Sequence, residues 1–230
     1  MQRETFGQNL TVITEEWPPF NYTDKNGQIV GYSVELVKAA IEQAGIKYDL
    51  VMMPWARGYH LALKKPSTAI FTTTRSAQRE PLFKWVGPLY SKQTILFRLK
   101  SRNDIIIKSL EDARHYKIGV VRGGANEEYL KANGFTSELD AASTDAQNIE
   151  KFFNRRFDLL PGDALTTLNM KNMPYNFSDL EAAFVLIEGV EYSIAFNKDT
   201  PGDMINRIQA GLDAVVEKKL KETLSIKYLQ

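Results

Sequence analysis

The sequence predicts an α/β fold of two lobes, each with a mixed, mostly parallel sheet flanked by helices. Short apolar strands alternate with amphipathic helices from Leu10 onward, and a second run of the same alternation begins near Lys117. Alternation of this kind is typical of parallel sheets covered by helices. The two amphipathic helices after residue 202 follow no strands of a new sheet, which favours a return of the chain to the first lobe.

Composition limits the classes of function. The chain has 230 residues, 43% of them hydrophobic, which is enough for one large domain or two small ones. A formal charge of +1 gives no sign of binding to nucleic acid. The absence of cysteine excludes disulfides, thiol catalysis and Cys-ligated zinc. His60 and His115 have no metal-ligand spacing, so we expect neither a metal nor a cofactor.

The first half of the chain predicts the order β-α-β-α-β. In such a sheet, ligands bind at the carboxyl ends of the strands. The predicted elements are strands Leu10–Thr14, Tyr48–Met52 and Thr68–Thr72 and helices Val34–Ala44 and Trp55–Lys64.

Local signals set the bounds of these elements. Pro18 and Pro19 forbid helix and sheet pairing, and the residues 25–27, with Gly27, form a hairpin turn signal. Ser33 is the predicted N-cap of the first helix, which Gly45 ends. Pro54 opens the second helix.

The second half predicts a further α/β pattern and then two helices. The predicted strands are 94–99, 117–121, 135–139, 157–160 and 192–196, and the predicted helices are 127–132, 145–154, 164–169, 203–217 and 219–228. The chain then crosses between lobes twice, near 91–94 and 188–192, and two such segments side by side make a hinge. We therefore expect a discontinuous first lobe of residues 1–92 and 190–230 and a second lobe of residues 93–189.

Polar and aromatic residues follow the predicted strands. Trp17 follows the first, Trp55 the second, and Thr72 and Thr74 the third, so we expect them to meet at one edge of the sheet. Arg79 follows closely, and hydroxyls near a guanidinium make a compact anion receptor. From this segment alone, a polar turn before a buried edge strand is the alternative interpretation.

The glycine-rich turn 122–126 leads directly into a predicted helix, and a helix N-terminus favours an anion. This turn matches neither a phosphate-binding loop nor a dinucleotide fingerprint.

The chain resembles the solute-binding proteins of bacterial ABC importers for amino acids, family 3, which have the type II periplasmic-binding fold. The resemblance covers almost the whole chain. The residues that carry it are Trp17–Phe20, Gly31–Leu36, Thr74 with Arg79, the aromatic run to Tyr90, Gly119–Gly123, Phe157–Asp163 and Ile226–Tyr228.

The resemblance implies a role for individual residues. Arg79 matches the arginine that binds the ligand α-carboxylate, helped by hydroxyls at Thr74 and Thr72. Asp163 matches the acid that binds the α-ammonium, and Trp17 an aromatic residue that lies against the ligand side chain. The second-lobe loop that reaches the carboxylate through its N–H groups corresponds to Gly123 with Gly124, Ala125 and Asn126.

Three further residues complete the expected ligand site, namely Trp55, Arg75 and Tyr192. Arg75 is expected either to neutralise a second acidic group of the ligand or to pair between the lobes. The loop departs from the family pattern, since Gly124 and Ala125 stand where a threonine hydroxyl is common. The aromatic lining favours an apolar ligand moiety and Arg75 an acidic one, so the ligand side chain stays open.

The function that the resemblance implies is delivery of an amino acid or related zwitterion to an ABC permease by a monomeric, non-enzymatic periplasmic protein. No apolar stretch follows Met1–Glu4, so we expect either a cytosolic protein or a sequence that begins at a mature N-terminus. The resemblance implies the second, a periplasmic form without its signal peptide. The alternatives are the ligand-sensing domain of a receptor and a dehydratase-like enzyme of the same fold. The chain ends without a membrane helix, which favours a free protein over a receptor. An enzyme would need a general acid, for which Glu15, Glu16 and Asp163 are the candidates.

Overall fold

The computed structural model describes residues 9–163 and 174–229, so the predicted helix 164–169 lies outside the described residues. The strands are β1 (Leu10–Thr14), β2 (Tyr22–Thr23), β3 (Ile29–Val30), β4 (Tyr48–Met52), β5 (Thr68–Arg75), β6 (Lys84–Leu99), β7 (Ile118–Val121), β8 (Leu139–Ala142), β9 (Leu160–Gly162) and β10 (Leu180–Phe196). The helices are α1 (Tyr32–Gln43), α2 (Trp55–Lys64), α3 (Ala125–Ala132), α4 (Asp145–Phe153), α5 (Gly202–Glu217) and α6 (Leu220–Tyr228).

The predicted α/β fold is confirmed. One six-stranded sheet has the order β4-β1-β5-β10-β6-β9, and β1 pairs in parallel with both β4 and β5. Helices α1 and α2 make the crossovers that parallel pairing requires. The sheet is mixed because β10 pairs antiparallel with β5 and with β6.

Strands β6 and β10 are much longer than the predicted strands 94–99 and 192–196. They have 16 and 17 residues and pair antiparallel from Leu99 opposite Leu180 to Lys84 opposite Phe196. Polar residues such as Lys92 and Glu188 interrupt the apolar pattern, which hid the continuous strands. The ladder passes through that stretch with register shifts, one of them between Ile187 and Val190.

A second, two-stranded parallel sheet pairs β7 with β8. The predicted strand 135–139 is wrong in position, because the chain from Phe135 first closes helix α3 through a bond from its N–H to the Leu130 carbonyl at 3.0 Å. Phe135 is fully buried as a core residue instead. The predicted strand 157–160 occurs two to three residues later, as β9.

Within residues 9–163 and 174–229, four clusters of buried side chains stabilise the fold. Two of them draw on residues 10–90 and 192–229, and they cover the two faces of β1 and β5. The other two draw on residues 95–187. This distribution supports lobes that meet near 91–94 and 188–192.

The first helix begins without the predicted Ser33 cap. Gly31 precedes α1 with a φ of 129°, and a Cβ there would lie 2.3 Å from the Phe20 carbonyl oxygen. That same carbonyl accepts the Ser33 N–H at 2.9 Å, so backbone takes the place of a side-chain cap. The Ser33 hydroxyl is buried in the core and has no hydrogen-bond partner among the described residues.

Helices α1 and α5 cross at a point where only glycine fits. A Cβ on Gly211 would lie 2.3 Å from the Ala40 carbonyl oxygen. We expect Gly211→Ala to lower the free energy of unfolding by about 1–3 kcal/mol through overpacking, and Tm by roughly 2–12 °C. A thermal melt measures the change. The matched control is Gly202→Ala at the start of α5, where a Cβ meets nothing within 4 Å; equal melting of the two variants would contradict this close packing.

Candidate functional site

A cavity of about 90 Å³ lies where the carboxyl ends of β1 and β5 face the β7–α3 and α4 segments. All of the predicted site residues except Arg75 line it. They are Trp17, Trp55, Thr72, Thr74, Arg79, Gly124, Ala125, Asn126, Asp163 and Tyr192.

A hydrogen-bonded chain fixes the floor of the cavity on the side of β1 and β5. The Thr72 hydroxyl donates to Asn21 Oδ1 at 2.6 Å, and Asn21 Nδ2 donates to the Glu15 carbonyl at 2.6 Å. Thr72 has a φ of 56° at a bulge where β5 shifts its register against β10. The Thr72 hydroxyl therefore holds the turn after β1, while Thr74, opposite Tyr192 in the ladder, keeps its side chain at the cavity wall.

The Arg79 guanidinium is almost fully buried, with 1% of the residue exposed. Its Nε donates to Glu128 at 2.8 Å and its Nη2 to the Gly123 carbonyl at 3.2 Å. The Trp55 indole N–H donates to the same carbonyl at 2.9 Å. Within the described residues no hydrogen bond engages Arg79 Nη1, so this nitrogen has donors left for an anion in the cavity.

Two aromatic rings hold the guanidinium in place. Its central carbon lies 5.0 Å from the ring centroids of both Trp55 and Tyr59. Contacts of this kind stabilise a cation that has left water. Trp55 thus packs in the core cluster that also contains Ile13 and Ile70, and it lines the cavity as well.

The glycine-rich turn lies beside Arg79, whose Nη2 donates to the Gly123 carbonyl. Gly123 has a φ of 69°, and its N–H donates to Glu127 at 2.6 Å. Gly124 is the residue before α3, so Ala125 and Asn126 form the first turn of that helix. First-turn N–H groups lack intrahelical acceptors and favour an anion.

Asp163 follows β9 directly and is 3% exposed. Its charge is close to two tyrosines: burial first, and then Asp163, raises the pKa of Tyr90 to about 12. The same two causes, in that order, raise the pKa of Tyr192 well above its usual value. Asp163 therefore places a carboxylate in the cavity, near Tyr90 and Tyr192.

Trp17 contacts both the core and the cavity, as the sequence left open. It packs against the large cluster of the first lobe and also lines the cavity. Its indole N–H is buried without a hydrogen-bond partner among the described residues, so it is available to an acceptor on a ligand.

The structure places Arg75 outside the cavity, which corrects its inclusion in the site. Arg75 Nε and Nη2 each donate to a Glu80 oxygen at 2.7 Å, and the guanidinium lies 5.7 Å from the Trp85 ring centroid. Strand β5 ends at Arg75, and alternation along the strand turns its side chain away from the cavity that Thr74 faces.

Sequence reasoning missed Lys92, Asp145 and Asn148, which also line the cavity. Lys92 lies in the middle of β6, where the polar stretch of the predicted hinge gave no sign of a pocket. Asp145 begins α4 after the Thr144 N-cap, whose hydroxyl accepts the Gln147 N–H at 3.2 Å. An acid at that position is expected from helix capping alone, so its sequence signal was not specific.

The charged groups that line the cavity perturb one another's pKa values. Burial raises the pKa of Asp145 to about 7, against the opposing charge of Lys92. Burial and then the Asp145 charge raise the pKa of Glu15 well above its usual value. Burial lowers the pKa of Lys92 to about 8, opposed by Asp163 and Asp145, and its Nζ lies 4.6 Å from the Tyr192 ring centroid.

Comparison with known proteins decides the family. The sequence model of the bacterial extracellular solute-binding proteins, family 3, matches residues 10–230. The chain belongs to this family. None of the described helices is long and apolar enough to cross a membrane.

A curated relative of this solute-binding protein is the L-cystine-binding protein TcyJ of Escherichia coli. The two are 24% identical over 165 residues, which are 71% of this chain and 62% of the relative. The match thus spans less than two thirds of the relative's length.

Solved structures of similar shape confirm the type II periplasmic-binding fold. One is the arginine-, lysine-, histidine-binding protein ArtJ from Geobacillus stearothermophilus, with a TM-score of 0.82 and 20% identity over 96% of this chain and 95% of that one. Another is a histidine kinase sensor domain with similarity to periplasmic binding proteins, with a TM-score of 0.84 and 19% identity over 96% of both chains. At these identities the likeness shows the fold alone.

Proposed function

We propose that the protein binds an amino acid, or a closely related small zwitterion, in a cleft between two lobes and delivers it to the permease of an ABC importer. The observation that carries this proposal is that a guanidinium, Arg79, and a carboxylate, Asp163, line the same cavity. A zwitterion offers a carboxylate to the Arg79 guanidinium and an ammonium group to the Asp163 carboxylate, and charge-assisted hydrogen bonds of this kind are strong.

The position of the two charges in the chain supports closure as the mechanism. Arg79 belongs to the proposed first lobe (1–92 and 190–230), and Asp163 to the proposed second lobe (93–189). A ligand that contacts both binds the closed arrangement more tightly than the open one, which is what ligand-driven closure requires. The antiparallel pair β6–β10 carries the two crossings, near 91–94 and 188–192, and forms the proposed hinge.

The relatives support an amino acid as the ligand. The curated relative is an L-cystine-binding protein, and a structural neighbour is an arginine-, lysine-, histidine-binding protein. We place the mature protein in the periplasm, as a monomer that meets its permease there, which is consistent with membership of an extracellular solute-binding family.

Binding rather than catalysis is proposed for the cavity. Of the three acids considered for an enzyme, Glu16 is exposed and accepts the Thr23 N–H at 3.2 Å, so it cannot act in the cavity. Glu15 and Asp163 line the cavity, and we assign both to ligand binding. The likeness to a sensor domain keeps a receptor role as the second candidate, since sensor and carrier share this fold.

A thermal-shift screen tests the proposed function. Protein refolded to remove carried-over ligand is melted with each of the twenty amino acids, and with simple carboxylates and amines. A ligand at 100 times its Kd adds about 2.7 kcal/mol, which corresponds to a rise of roughly 5–11 °C in Tm. A rise for one or a few amino acids is expected. No rise with any amino acid would contradict the proposal.

A further inference from the structure

Two carboxylates in the cavity have no ion-pair partner within the part of the chain that the structure describes. Glu15 follows β1 and Asp145 begins α4, so the two come from opposite walls. Neither takes part in a salt bridge among the described residues, whereas Arg79 is paired with Glu128 at 2.8 Å. Both residues are half-buried, and a carboxylate that has lost part of its water without gaining a cation is costly, so a ligand that pairs them gains affinity.

Asn148 gives an independent indication of a donor on the ligand. It lies on α4 three residues after Asp145, on the same face of the helix, and it lines the cavity. The residue is 3% exposed, and its Oδ1 is buried without a hydrogen-bond partner in the described structure. An unsatisfied buried acceptor costs free energy until a donor reaches it.

The charges of the lining residues favour a cation as that donor. The described residues that line the cavity include three carboxylates, Glu15, Asp145 and Asp163, and two cations, Arg79 and Lys92. Because Arg79 and Asp163 are assigned to the two charges of the zwitterion, Glu15 and Asp145 remain close to each other, and the Asp145 charge helps to raise the pKa of Glu15. A positive charge on the ligand near both acids removes this repulsion.

We propose that the ligand carries a second cationic nitrogen, which Glu15, Asp145 and Asn148 Oδ1 bind together. This inference rests on the proposed function, with Arg79 and Asp163 binding the α-carboxylate and α-ammonium. Two kinds of ligand supply such a nitrogen: an amino acid with a basic side chain, and a compound with two amino-acid heads. Lys92 separates them, because a second head would bring a second carboxylate to its ammonium group.

Isothermal titration with lysine and norleucine tests the second cation, since the two differ only by the side-chain amine. We expect lysine to bind at least tenfold more tightly. Glu15→Gln and Asp145→Asn should each reduce the ratio of the two Kd values at least fivefold. Because the readout is a ratio in one protein, loss of folding cannot imitate it. The matched control is Glu16→Gln, the adjacent exposed acid, which should keep the wild-type ratio.

Titration with diaminopimelate and cystine, each in wild type and Lys92→Met, identifies the source of the nitrogen. If a two-headed compound binds the wild type more tightly than lysine does, and this preference disappears in Lys92→Met, the ligand is a compound with two amino-acid heads. If lysine binds more tightly than either two-headed compound, and this preference is kept or increased in Lys92→Met, the ligand is an amino acid with a basic side chain. Both results support the second cation.

The dependence of affinity on pH gives a second readout. The titratable groups that interact with Asp145 are Glu15, Lys92 and Tyr192, and Asp163 interacts with the same Lys92 and Tyr192. Burial raises the pKa of Asp145 to about 7, so below that pH a cation must displace a proton to bind. We expect lysine affinity to fall as pH falls from 7.5 to 5.5, by up to about tenfold per pH unit for one proton, and the fall to flatten in Asp145→Asn.

The failures of the two proposals are distinguishable. If neutral or acidic amino acids bind and lysine and both two-headed compounds do not, the proposed function stands and the second cation is overturned. A lysine preference that survives both Glu15→Gln and Asp145→Asn also overturns it. If no amino acid of any charge binds, both proposals fail.

Discussion

Replacing Arg79 by alanine is expected to lower the affinity for the amino-acid ligand at least about 100-fold. Hydrogen bonds to charged groups contribute roughly 1.5–3 kcal/mol each, and two of them reach about 3 kcal/mol or more. The guanidinium is buried against Trp55 and Tyr59, where water cannot replace it. Titration calorimetry measures the Kd, and a thermal melt reports whether the variant folds.

Arg75→Ala is the matched control, four residues earlier in the chain. Arg75 pairs with Glu80 at 2.7 Å, and both side chains are well exposed, at 42% and 50%. Exposed pairs of this kind contribute about 0–1 kcal/mol, so this variant should melt and bind almost as the wild type does. Equal affinity of Arg79→Ala and Arg75→Ala would refute a ligand role for Arg79.

Glu128→Gln separates direct binding from an effect through the Arg79–Glu128 pair. The glutamine keeps a hydrogen-bond acceptor near Arg79 Nε but removes the negative charge. If Arg79 contacts the ligand, this variant should change the Kd less than tenfold. A loss as large as that of Arg79→Ala would mean that Arg79 acts through Glu128.

Asp163→Asn is the second change with a large expected effect, a loss of affinity of about 100-fold. The amide keeps the shape of the side chain but no longer offers a charged acceptor to an ammonium group at a site that is 3% exposed. Asp199→Asn, at an exposed position, is the control for the change in net charge. A Kd within threefold of the wild-type value would contradict the assignment of Asp163 to the α-ammonium.

Much of the first lobe follows from local sequence signals. The predicted bounds of β4 and α2 match the structure, because Gly45, Pro54 and the apolar run between them punctuate the chain. Strands β6 and β10 were underestimated because their middle residues are polar and are held by cross-strand pairing. That pairing joins residues about a hundred positions apart, which no local pattern reveals.

For the site as well, residues with a local sequence signal were predicted, and residues placed by distant contacts were not. The strand-end argument brought Trp17, Trp55 and Thr74 to one cavity, as the structure has them. It could not distinguish Arg75 from Arg79, since only the end of β5 and the turn after it decide which one enters the cavity.

The charges on the remaining walls depend on tertiary contacts rather than on motifs. Lys92 reaches the cavity from the middle of a strand, and Asp145 and Asn148 reach it from a helix that begins with an ordinary cap. Each of these residues is unremarkable in its own segment. They become candidate ligand-binding residues only because the fold brings other segments of the chain to face them across the cavity.

The central claim is that one ligand joins Arg79 and Asp163 through its own two charges. The most direct test is a calorimetric titration with the amino acid that the screen selects, beside its carboxamide and its N-acetyl derivative. The carboxamide lacks the negative charge and the N-acetyl derivative the positive one. The account predicts that each derivative binds at least about 100-fold more weakly than the parent. Binding of either derivative within tenfold of the parent would contradict it.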